Sequence, residues 1–130
     1  MSDAAPTPPA SPARTGRPRL VAAAVCALEA LVLAGFAAYY LVQLAGGSPD
    51  PTRVTTEAAL IVLFAVGLAV LARLWLIGSG WAGTPTVVWH LLLVPVVVAM
   101  AQSGQPVVAL ALGAAVVLAI GATIQAREAS

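Results

Sequence analysis

Four long apolar runs, separated by short clusters of glycine, proline and polar residues, make up most of this chain. They cover residues 20–44, 57–77, 85–101 and about 106–124, and each comes close to the roughly 20 residues that an α-helix needs to cross hydrocarbon about 30 Å thick. The breaks are sharp. Gly46-Gly47-Ser48-Pro49-Asp50-Pro51, Gly78 to Pro85 and Gln102-Ser103-Gly104-Gln105-Pro106 all combine residues that end helices. The pattern predicts an all-α fold: four transmembrane helices in an antiparallel bundle.

The flanks read differently. Residues 1–19 are rich in Pro, Ala, Ser, Thr and Arg and contain no aromatic residue, so they predict a disordered arm that buries too little apolar area to offset chain entropy. The run that follows is far longer than the roughly 7–15 residues of a cleavable signal core, and is expected to remain as a membrane helix. Residues 126–130 are expected to form a short polar tail.

Capping and breaking residues refine the spans. Thr55 or Thr56 can cap the second helix, with Glu57 in its first turn, where the helix dipole favours an anion. At the second corner Thr84 is a candidate N-cap and Pro85 a first helical residue, because the missing proline N–H is harmless there. Pro95 falls inside the third span and cannot donate to Leu91, which predicts a kink or local opening. Gly113 and Gly121 are candidate points of close contact in the fourth span.

Composition agrees with this pattern: 61% of the residues are hydrophobic and 8% charged, with a mean hydropathy of +0.99, against about 25% charged in an ordinary soluble domain. The net charge of +1 points to no nucleic-acid partner. Cys26 is the only cysteine and His90 the only histidine, so no intramolecular disulfide can form and one chain cannot build a Cys/His zinc cage. Cys26 reads as packing filler.

Charge placement says more than its sum. Arg14, Arg17, Arg19, Arg73 and Arg127 fall at one membrane face and only Arg53 at the other. The positive-inside rule then puts both termini in the cytoplasm. Trp75, Trp81 and Trp89 cluster around the second corner, where an aromatic belt would anchor the chain at the membrane surface. Arg73 can snorkel to the headgroups from the end of its helix.

Within the first span Glu29 stands alone, at an insertion cost on the order of 3 kcal/mol, which about eleven Leu, Val and Phe residues offset at about 0.3 to 0.6 kcal/mol each. Helical spacing places Glu29, Leu33, Phe36, Tyr40 and Gln43 on one stripe, expected to face the protein interior. Ala23, Ala27, Ala30, Ala34 and Ala38 form another, a candidate packing seam. Counted at about 1.5 Å per residue, Glu29 lies roughly 14 Å deep and Arg73 and His90 roughly 7 to 9 Å. These three form a candidate intramembrane polar cluster. It could relay a proton coupled to solute movement, or it could fix helix register; both readings stay open.

No Ser/His/Asp set, paired surface carboxylates, HExxH motif or dinucleotide fingerprint is present. The corner glycines lack the Lys-Ser/Thr of a phosphate loop. The sequence therefore predicts no catalytic residue, no metal site, no cofactor and no enzymatic activity. Its expected partners are the lipid bilayer, further copies of itself, or other membrane proteins.

The run from Trp81 to Pro95, Trp-Ala-Gly-Thr-Pro-Thr-Val-Val-Trp-His-Leu-Leu-Leu-Val-Pro, follows a first helix containing Leu28-Glu29-Ala30-Leu31 and a Pro/Ala/Arg-rich arm. In these features the chain resembles the small four-span integral membrane proteins of actinobacteria. That resemblance implies a bacterial cytoplasmic membrane location and four spans, and transfers no site. In length, helix number and a lone first-helix glutamate the chain is also similar to small multidrug-resistance exporters, an architectural likeness only. The leading expectation is an accessory or structural component of a membrane assembly. The alternative is a small proton-coupled exporter using Glu29.

Overall fold

A computed structural model describes residues 4–7 and 12–128 of the chain. Among these residues four helices are long and apolar enough to cross a membrane: α1 (Pro12–Ala45), α2 (Pro51–Leu76), α3 (Gly83–Gln102) and α4 (Pro106–Glu128). A short 3-10 turn, Gly80–Ala82, leads into α3. The protein is a multi-pass, all-helical membrane protein.

Local chemistry explains where the helices stop. Asp50 caps α2, its carboxylate accepting from the Arg53 amide at 3.1 Å, with Pro51 in the first helical position. The predicted caps Thr55 and Thr56 lie inside the helix instead, donating back to the Pro51 and Thr52 carbonyls at 2.7 and 2.9 Å. Asp50 wins because Pro51 has no N–H to lose and its fixed φ already suits a helix start. At the other end Gly78 adopts φ +74. This lets the Ser79 amide reach back to the Leu74 carbonyl and the Gly78 amide to that of Trp75, closing the helix with a left-handed glycine turn. Thr84, predicted to cap α3, sits one residue inside it, because the 3-10 turn carries helical backbone straight into Gly83.

Two further boundaries differ from expectation. Helix α1 begins at Pro12, inside the arm predicted to be disordered. Once the apolar span has nucleated a helix, adding Ala and Arg turns costs little. Residues 1–3 and 8–11, much of that arm, lie outside the described residues, as do 129 and 130 of the expected tail. The rest of the tail continues α4 as far as Glu128. Pro95 is accommodated within a continuous α3 rather than opening it.

Packing follows the order α2, α1, α4, α3. Helix α1 lies against both α2 and α4, and α4 against α3. Helices α2 and α3 are neighbours in sequence but a groove of about 440 Å³ lies between them, bounded by Phe64, Leu71, Trp81 and Trp89. The core sits toward the arginine-rich end, where Ala22, Ala23 and Cys26 of α1 meet Leu68, Ala72 and Trp75 of α2, with Ala122 and Ala126 from α4. Small side chains let backbones approach closely where lipid supplies no hydrophobic force between helices. Of the alanine stripe on α1, Ala23 is buried, while Ala27, Ala34 and Ala38 are exposed and line a second groove against α2.

Candidate functional site

Polar side chains of three of the spans meet on one face of α3. Thr86 and His90 are four residues apart, hence stacked on one stripe, and both are fully buried. The Thr86 hydroxyl donates to the Ala82 carbonyl at 2.7 Å and accepts from the Trp75 indole N–H of α2 at 3.0 Å. One turn on, His90 Nδ1 lies 2.7 Å from the Thr86 carbonyl. A carbonyl oxygen only accepts, so Nδ1 carries a hydrogen and donates.

Glu29 of α1 completes the array. Its Oε1 is 3.2 Å from His90 Nε2, and its Oε2 accepts from the Trp89 indole N–H at 3.2 Å. The Glu29 side chain is 13% exposed and that of His90 0%. With Nδ1 already donating, the contact between Nε2 and Oε1 is satisfied by a single shared proton. It sits either on a neutral carboxyl that donates to a neutral imidazole, or on an imidazolium paired with a carboxylate. Cys26, one turn before Glu29 on α1, is fully buried and carries a free thiol. Among the described residues no buried side-chain nitrogen or oxygen lacks a partner.

The array has an architectural consequence. The Trp75 to Thr86 bond and the contacts of Glu29 with Trp89 and His90 tie α1, α2 and α3 together at the level where α2 and α3 leave a groove between them. The Trp89 ring also packs on Phe64 of α2, with centroids 5.0 Å apart.

Several predicted roles change. Arg73 does not join Glu29 and His90; it is exposed and lines the α1–α2 groove, as expected of a long cation reaching for headgroups. Trp75 is not a surface anchor but 4% exposed, because its N–H has a buried acceptor in Thr86. Trp89 likewise turns inward to Glu29. Trp81, at 71% exposed, retains the position of an interface anchor. Of the predicted interior stripe, Leu33 and Tyr40 are half-buried, Tyr40 beside Glu57 of α2, whereas Phe36 and Gln43 are exposed. Gln43 donates to the Tyr39 hydroxyl along its own helix, which satisfies its amide without an interior partner.

Sequence reasoning missed Thr86, whose signal was its four-residue spacing from His90, and the link between Trp75 and Thr86, which no local pattern announces. It also missed the seating of arginines on the second corner, where Arg127 donates to the Thr84 hydroxyl at 3.2 Å. Among the described residues no three His, Cys, Asp or Glu side chains are placed to hold a metal ion. No protein-family model matches this chain, and no curated protein or solved structure is significantly similar to it.

Proposed function

We propose that this membrane protein is a non-catalytic accessory or structural component of a membrane assembly, held in the bacterial cytoplasmic membrane with both termini in the cytoplasm. The observation that carries this reading is the saturation of Glu29. Both its oxygens are engaged by adjacent residues of α3, so the carboxylate within the spans serves to fix one helix against another. Intramembrane ionisable groups either pair with one another or face a water-filled cavity, and Glu29 is paired. The alanine-lined groove between α1 and α2, about 780 Å³ and open to the lipid, offers a route for association with another membrane helix, from a second copy or another protein.

The test uses the full chain in its native membrane. A photo-crosslinker at Ala34, in the wall of this groove, is expected to give one discrete adduct of defined mass, and the same adduct is expected in Glu29→Gln. Crosslinks to lipid alone would overturn the assembly reading. A reporter fused after Ser130 is expected on the cytoplasmic side; an external reporter would overturn the orientation.

One observation favours the second reading, a small proton-coupled exporter. The Glu29–His90 contact holds a single proton, and such a pair can release and recover it. In proteoliposomes that reading requires solute flux driven by a pH gradient in the wild type and its loss in Glu29→Gln, whereas a structural pair gives no flux in either.

A further inference from the structure

We propose that the groove between the start of α1 and the end of α4 seats one anionic phospholipid, a single acyl chain lying along the groove and the phosphate at its polar mouth. The groove holds about 440 Å³. Val21 of α1 and Val117 and Leu118 of α4 form apolar walls, and Arg17 and Gln125 lie at the end nearest the helix termini. It shares no residue with the alanine-lined groove between α1 and α2.

Helical spacing builds this polar-to-apolar gradient. Arg17 and Val21 are four residues apart on α1, as are Val117, Gly121 and Gln125 on α4, so each helix runs from a polar residue to apolar ones along one stripe. The two helices are antiparallel, which brings Arg17 and Gln125 to the same end. Gly121 is not the point of close contact expected of it: a Cβ placed there would meet nothing within 4 Å. The glycine draws no helix closer; it widens the groove, although glycine weakens a helix relative to alanine. Arg17 is exposed and makes no hydrogen bond or ion pair with any described residue. Among the described residues no carboxylate lines the groove, and Glu128, one turn past Gln125, lies outside it.

Length and charge select the occupant. From Gln125 to Val117 the groove follows α4 for about 12 Å at about 1.5 Å per residue, within the roughly 15 Å that one leaflet contributes to hydrocarbon about 30 Å thick. A partner helix crosses both leaflets and needs a seat along its whole span, whereas a lipid needs one leaflet. A methylene takes about the room of a liquid water, about 30 Å³, so the groove admits on the order of fifteen of them, one chain rather than two. At the mouth the Arg17 guanidinium presents planar donors that match phosphate oxygens in pairs, and the Gln125 amide adds a neutral donor. An unpaired cation at the membrane surface favours a headgroup of net negative charge. A zwitterionic headgroup brings its own cation, which Arg17 repels.

The experiment is native mass spectrometry of the full chain released from detergent micelles that hold equal amounts of phosphatidylglycerol and phosphatidylcholine with identical acyl chains. The wild type is expected to retain a single phosphatidylglycerol, favoured about fivefold over phosphatidylcholine. Arg17→Gln is expected to retain both lipids alike. Arg73→Gln, which removes the same charge at the same end of the bundle, is expected to keep the preference. Gly121→Leu, whose side chain fills the groove, is expected to lose the retained lipid of either kind. Gly35→Leu, at another helical glycine whose added Cβ meets nothing within 4 Å, is expected to keep it. A wild type that retains neither lipid, or both alike, overturns the proposal. So does a preference that survives Arg17→Gln or falls equally in Arg73→Gln, and so does retention that survives Gly121→Leu or is lost equally in Gly35→Leu. A dimer that Gly121→Leu dissociates would place a second copy in the groove and overturn the lipid. Because Arg17 is exposed, Arg17→Gln tests the site even if Gly121→Leu does not fold.

Discussion

Replacing Glu29 in two ways separates hydrogen bonding from charge. Glu29→Leu removes the acceptor of the Trp89 indole and the partner of His90 Nε2, each 3.2 Å away, and leaves a histidine of 0% exposure with one ring nitrogen unsatisfied. Interhelical polar contacts in membranes contribute about 0.6 kcal/mol on average and at most about 1.7, so losing two should destabilise the bundle by about 1–3 kcal/mol. Glu29→Gln is different. Its amide N–H can donate to Nε2 while its amide oxygen accepts from Trp89, so both bonds persist and the expected cost is under about 1 kcal/mol. The assay is reversible unfolding in mixed micelles by increasing mole fraction of dodecyl sulfate, followed by tryptophan fluorescence. A Leu variant as stable as the wild type would show that the array does not hold α1 to α3. A Gln variant as unstable as Leu would show that charge, not the pattern of donors and acceptors, is what matters.

Other outcomes follow from the same geometry. Trp75→Phe should cost about 1 kcal/mol in that assay by taking the N–H donor from the buried Thr86 hydroxyl, whereas Trp81→Phe, at a position 71% exposed, should leave the midpoint unmoved; equal effects would contradict the inward role of Trp75. Gly78→Ala should cost about 1–2 kcal/mol for a Cβ in the left-handed region, with a further loss from displacing Arg19, whose nitrogen would lie 2.7 Å away; a neutral result would contradict the turn that closes α2. Cys26, fully buried, should resist a maleimide in mild detergent and react after unfolding in dodecyl sulfate. Rapid labelling of the folded chain would mean that α1 and α4 open at that level.

The span number and the breaks were legible because hydrophobic run length and the Gly/Pro clusters at 46–51, 78–85 and 102–106 act locally. Glu29 and His90 were legible as partners because ionisable groups in lipid seek one another, and both fall in the same half of the bilayer, within reach of two side chains. Arg73 was wrongly joined to them because depth carries no azimuth: its position on α2 faces the outer groove, not α3. The three tryptophans show the same limit. Their sequence positions fit an interfacial belt equally well, but the partners Thr86 for Trp75 and Glu29 for Trp89 are set by tertiary geometry, and only Trp81 is left outside. The stripe from Glu29 to Gln43 failed at Phe36 and Gln43, although α2 still covers Ala37 and reaches Tyr40, because helical periodicity identifies a face but cannot say which of its positions a neighbouring helix covers.

The polar array also answers a problem posed by the alanine-rich composition. Where α1 presents Ala22, Ala23 and Ala30, and α4 presents Ala119, Ala122 and Ala126, side chains of one size give ridges that fit the neighbouring helix almost equally well after a shift of one turn. Close packing of this kind supplies attraction but little discrimination between registers. A bond from Trp75 to Thr86 and a paired Glu29 tolerate no such shift, since a displacement of about 5.4 Å would break each of them and leave buried donors without acceptors. Specificity from a few polar contacts set in an otherwise uniform apolar interface is well attested in helical assemblies. Glu29→Leu should therefore broaden the conformational ensemble beyond what its loss of stability alone accounts for. This would register as multiple distances between spin labels on α1 and α3 under conditions where the chain remains folded, and a single sharp distance in that variant would mean that the alanine ridges set the register unaided.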